Sequence, residues 1–149
     1  MFDSKYSVNL LGAIIANINN ILLTFLFATR IYKYPKIEHW LGIIFMLSII
    51  PLILMLIKAF ETNRDILYFI QLFLMISFIV VEFLLDYLLK IDFRQNRNIV
   101  IPYVTIFYAS FGGMIGIASH CGKQWTVITV ITFLLMTTAS LIMHFNTNT

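Results

Sequence analysis

Long apolar runs separated by short polar ones organise this chain. Five such runs stand at roughly 8–29, 40–58, 66–89, 99–118 and 125–145, with polar breaks at 30–39, 61–65, 90–98 and 120–124. Each run is close to the ~20 residues an α-helix needs to cross ~30 Å of hydrocarbon at 1.5 Å per residue. Strands do not suit this pattern, because an open sheet edge leaves backbone groups unsatisfied in lipid. The pattern predicts an all-α membrane protein, a single domain over 1–149 built as a bundle of five transmembrane helices with short loops.

Prolines and aromatics agree with those boundaries. Pro35 marks the first loop, and Pro102 sits near the start of the fourth span, where a missing N–H leaves little unsatisfied. Pro51 lies inside the second span and predicts a kink there. Tyr6, Tyr32, Tyr34, Trp40, Tyr68, Tyr87, Tyr103 and Trp125 fall near span ends, as interfacial anchors do, and Tyr108 is the exception. The second span, almost wholly apolar, is expected to face lipid.

Composition strengthens the membrane reading. Apolar residues make up 60% of the chain and charged residues 11%, against a usual ~45–50% and ~25% in soluble domains. So few charges could not cover a soluble protein of this size. The net charge of +3 comes from cations in short loops, not from a basic stripe interleaved with aromatics. That argues against nucleic acid as a partner and points to the lipid bilayer and its anionic headgroups. A bundle this small is also expected to assemble as a homo-oligomer or with a larger membrane subunit. The single cysteine, Cys121, rules out an intrachain disulfide and any multi-cysteine zinc or redox motif.

The first run does not read as a cleaved leader. Asp3 offsets Lys5, Asn17, Asn19 and Asn20 interrupt the apolar stretch, and no small-x-small site follows it. Five spans place the termini on opposite sides. Lys5, Lys58, Arg64 and Lys123 fall on one side, and Arg30, Lys33, Lys36, Lys90, Arg94 and Arg97 on the other. The excess of cations on the second side predicts an outside N-terminus and a cytoplasmic C-terminus.

Candidate chemistry concentrates on the third span. Only Glu82 and Asp86 among the acids lie within an apolar run, one helical turn apart and so on one face, which Gln71 and Met75 continue. A charged acid at mid-bilayer costs roughly 2.5–3.5 kcal/mol on insertion scales, so such groups turn toward a protein interior or a wet cavity. Alternatively both acids are interfacial, and Asp86 pairs with Lys90 four residues on. On the first span Asn9, Ala13, Asn17, Asn20, Thr24 and Ala28 share one side, which suits interhelical packing or the lining of a solute path. On the fourth span Gly112 and Gly116 form a GxxxG spacing. Tyr108 on the same span is expected to meet Glu82 or a first-span asparagine.

The fifth span aligns Thr126, Thr129, Phe133, Thr137, Ser140 and His144. The topology brings His144 to the membrane end that holds Glu82 and Asp86, where a metal site, proton relay or acid/base group would be chemically sensible. His120 beside Cys121 is a poor nucleophile–base pair, because adjacent side chains diverge. No HExxH, CxxC, Gly-Lys-Ser/Thr, TVGYG-like or GxSxG signature occurs. Three functional classes follow. One is a transporter or transporter-like subunit for a proton, cation or small solute, using Glu82 and Asp86 with Asn17, Asn20 and Tyr108 around them. Another is a membrane-embedded enzyme on a lipid or other apolar substrate, with Glu82, Asp86 and His144 as acid and base. The last is an accessory subunit without chemistry. Neither a catalytic residue, a cofactor nor a metal is specified by the sequence.

Overall fold

The structure is a computed structural model that describes residues 4–147; Asp3, weighed above against Lys5, lies outside them. Five spans form, at Lys5–Ile31, Pro35–Glu61, Ile66–Leu88, Arg97–Ser119 and Lys123–Asn146. Four of them extend beyond both ends of the apolar run that predicts them, and the third, Ile66–Leu88, stops one residue short of its run. The protein is a polytopic all-α membrane bundle, with no strand among the described residues.

Helix α1 (Ser4–Ile31) runs through the middle of the bundle. It packs along α6 (Lys123–Thr147) and also against α5 (Arg97–Ser119) and α2 (Pro35–Leu47). Helix α4 (Ile66–Glu82) lies along α5 and also touches α3 (Ile49–Glu61). The second span is divided: α2 stops at Leu47, Ser48 makes a turn, and α3 resumes at Ile49. Pro51 explains the break. It has no N–H to offer the Leu47 carbonyl, so the helical ladder loses a bond at that point. The hydroxyl of Ser48 instead accepts from the Asn19 side-chain amide of α1 at 3.2 Å.

The asparagines of α1 act mainly as interhelical glue. Asn17 donates to the Thr129 hydroxyl at 2.9 Å and accepts from Thr132 at 2.8 Å, while Asn20 donates to Thr132 at 3.0 Å. Asn9 donates to the His120 carbonyl and accepts from Arg64. Amide hydrogen bonds of this kind hold helices together where no hydrophobic drive exists between them in lipid. The polar face of α6 is therefore centred on Thr129 and Thr132, whereas Thr126 bonds back to Gly122 of its own turn.

Which span faces lipid most is a correction. Only 11% of the most apolar window of α6 is buried, against 28% in the second span. Leu52, Met55 and Ala59 of α3 and Phe45 of α2 are wholly buried, because the central α1 draws the second span inward.

The glycines of α5 also act differently from the expected spacing. A side chain at Gly112 would meet nothing, whereas Gly113 and Gly116 both lie against Gln71 of α4. Close approach of α4 and α5 thus depends on Gly113 and Gly116.

Candidate functional site

Four helix ends meet on one side of the bundle and carry most of its buried charge. Arg30 sits in the last turn of α1 and Glu38 in the first turn of α2. Each opposes the partial charge of its own helix end, so both placements are favoured locally. They join through Arg30 Nε and Glu38 Oε1 at 2.5 Å. Arg30 also lies 3.5 Å from Asp86.

Asp86 and Glu82 belong to one helix that changes its winding between them. After Glu82 the α-helix gives way to a π-helical turn over Phe83–Leu88. The Leu89 N–H bonds to the Leu84 carbonyl five residues back at 2.8 Å. The sequence predicts an unbroken α-helix here; the wider turn is the correction. π-Turns of this kind recur at functional sites, because they shift side chains off the face an α-helix would assign them. Asp86 is drawn to cations on two other segments, Arg30 and Arg94, rather than to Lys90 on its own.

The segment after the π-turn supplies Arg94. A 3₁₀ turn over Phe93–Gln95 buries Phe93, whose ring lies 4.7 Å from that of Tyr103. Arg94 stacks over the Phe93 ring at 4.9 Å and reaches Asp86 at 3.0 Å. Phe93 therefore anchors the loop, and the loop delivers the arginine.

Glu82 lies deeper and is matched differently. It is 7% exposed, and the hydroxyl of Tyr103 on α5 donates to its Oε2. Phe78 and Phe93 hold the Tyr103 ring from two sides. Six residues separate Glu82 from Leu88 and six separate Tyr103 from Arg97, which sets both about 9 Å inside their span ends. Among the described residues Glu82 forms no ion pair, and its second carboxylate oxygen has no protein donor. That oxygen is the unspent one.

These groups surround a cleft of about 430 Å³ between α1, α2 and the end of the third span. Arg30, Glu38, Glu82, Asp86, Lys90 and Arg94 line it, together with His39, Tyr87 and Phe45. Tyr87 donates to the His39 carbonyl at 3.2 Å and brings its hydroxyl end-on to Gly42, where any side chain would collide with it. Phe45 begins the floor. It contacts Phe78 and Phe111, each with ring centroids 6.2 Å away, and Phe107 continues the aromatic layer. Below it Met75, Leu72 and Tyr68 are fully buried, so the cleft is blind at its inner end.

The other residues singled out by sequence stand elsewhere. Asn17 and Asn20 are committed to α6. Tyr108 packs edge-on against Phe107 and Phe133, and Tyr103 takes the role expected of it toward Glu82. His144 is exposed, its ring 6.1 Å from that of Phe145, and it is not part of the cleft wall. No cluster of three or more histidine, cysteine or acidic side chains suited to a metal occurs among the described residues. Arg30, Glu38, Arg94 and Tyr103 were not marked by sequence. Their one shared signal was position, since all sit near span ends that converge on the same membrane side.

Compared with known proteins, the chain matches no protein family, no curated protein and no solved structure.

Proposed function

We propose that this protein is a small transporter-like membrane protein that receives the cationic group of a small solute, or a bare cation or proton, at Glu82. One observation carries the reading. In a cleft where Glu38 and Asp86 are already matched by Arg30 and Arg94, Glu82 is buried, unpaired and turned to the cavity. An unmatched acid well inside a span is expensive unless a ligand, proton or water shares its charge.

The cleft opens on the side of the bundle that bears Lys33, Lys36, Lys90, Arg94 and Arg97. By the positive-inside rule this side is cytoplasmic, with the N-terminus outside. Passage across the membrane requires the aromatic floor to part. Phe45 belongs to α2, and α2 joins α3 at the proline-induced break around Ser48. Tilting of α2 at that break moves Phe45 away from Phe78 and Phe111 without unfolding either helix, a hinge of the ordinary kind.

The test is uptake into proteoliposomes of small radiolabelled amines and monovalent cations, with Glu82→Gln as the variant. The reading expects uptake of at least one probe by the native protein and its loss in Glu82→Gln. Equal uptake by both proteins, or none by the native one, would overturn it.

A further inference from the structure

The charged groups of the cleft do not pair off completely. Arg30 bridges Glu38 and Asp86, and Arg94 holds Asp86 from the other side. Three acids and three bases line the cleft, and this chain of contacts accounts for two of each. The remainder is one acid, Glu82, and one base, Lys90. Among the described residues neither forms an ion pair.

The two leftovers stand at opposite depths. Glu82 is buried near the aromatic floor, whereas Lys90 is exposed at the mouth. Eight residues separate them along the helix and its π-turn, a rise on the order of 10 Å. The flexible four-carbon stem of Lys90 shortens that gap. Lys90 has φ 49°, the left-handed turn that ends the span. Lys33 ends α1 through the same turn, yet only Lys90 of the two lines the cleft.

We infer that the ligand is a zwitterion, its ammonium group directed inward to Glu82 and its carboxylate or phosphate held at the mouth by Lys90. This rests on the assignment of Glu82 above and adds the second pole. A purely cationic ligand would leave Lys90 facing the mouth unmatched, and a purely anionic one would be repelled by Glu82. A molecule carrying both charges satisfies both and leaves the Arg30–Asp86–Arg94 contacts intact. Either a soluble zwitterion or the headgroup of a zwitterionic lipid offers this chemistry, because Lys90 follows two residues after the end of the third span at Leu88.

Binding of ethanolamine, phosphoethanolamine and inorganic phosphate to the detergent-solubilised protein distinguishes the poles. A second arm compares nanodiscs with and without phosphatidylethanolamine, read by the shift in thermal unfolding. The inference expects phosphoethanolamine to bind at least tenfold tighter than ethanolamine, or phosphatidylethanolamine alone to stabilise the protein. Lys90→Ala should then erase the tenfold preference while ethanolamine affinity stays within twofold, or erase the lipid-induced stabilisation. Glu82→Gln should weaken every amine-bearing probe by tenfold or more. A preference that survives Lys90→Ala refutes the zwitterion and leaves the Glu82 assignment standing. Amine binding indifferent to Glu82→Gln refutes both, whereas the failure of every probe in both arms refutes the zwitterion and leaves the Glu82 assignment to the uptake of cations.

Discussion

The Tyr103 hydroxyl on α5 donates to the carboxylate of Glu82 on α4, about two turns inside the span ends. This bond crosses the most extensive packing interface of the third and fourth spans and fixes the acid beneath Asp86. Glu82 is buried and Tyr103 half-buried, so the bond lies largely inside the protein. Tyr103→Phe keeps the ring contacts with Phe78 and Phe93 and deletes only the hydroxyl. The expected loss is about 1–3 kcal/mol, the penalty for a buried polar group left unsatisfied. Unfolding in a mild detergent by SDS titration measures it; an unchanged midpoint would show that the bond contributes nothing.

Arg30 and Arg94 both reach Asp86 but differ in exposure, 15% against 41% for their side chains. Arg30→Gln strips a partner from Asp86 and Glu38 together and should destabilise by up to roughly 3–5 kcal/mol, the range for a broken buried pair. Arg94→Gln should lose less than about 1 kcal/mol, and that loss should shrink with added salt. The two unfolding midpoints, taken at low and high ionic strength, decide whether this ranking holds.

Gly42 and Tyr87 form a test of fit. A methyl group at position 42 would run into the Tyr87 hydroxyl, with the ring carbon behind it at 3.3 Å. Gly42→Ala should therefore destabilise by about 1–3 kcal/mol through overpacking. Adding Tyr87→Phe removes the colliding atom and should recover part of that loss. Additive effects of the two substitutions would contradict the contact.

The glycines of α5 make a paired comparison. Gly112→Leu should be tolerated, since nothing stands within 4 Å of its position. Gly116→Leu should displace Gln71 and push α4 from α5, with a loss of at least 1–3 kcal/mol. Parallel thermal unfolding of the two variants gives the answer, and equal stabilities would disprove the assigned interface.

Asn17 and Thr132 join α1 to α6 at 2.8 Å. A double-mutant cycle with Asn17→Ala and Thr132→Val should return a coupling of about 0.6 kcal/mol and no more than about 1.7, the span measured for hydrogen bonds between membrane helices. A coupling indistinguishable from zero would mean the pair adds nothing to the packing of α1 on α6.

Span number, span order and the all-α class follow from the sequence alone, because bilayer thickness demands runs of a given length and hydrocarbon forbids unpaired backbone. The acidic pair on the third span was legible for the same reason: a carboxylate inside an apolar run has few comfortable places to go. What the sequence could not supply was partnership. Asp86 turns to Arg30 and Arg94 instead of Lys90 because a π-turn follows Glu82 and a 3₁₀ turn anchored by Phe93 carries Arg94 back. Tyr103 rather than Tyr108 reaches Glu82 because the register of α5 on α4 is set by Gly113 and Gly116 against Gln71. Helix winding, loop path and interhelical register arise from contacts between residues far apart in the chain, so tertiary structure alone decided which charges in the cleft are matched and which are left over.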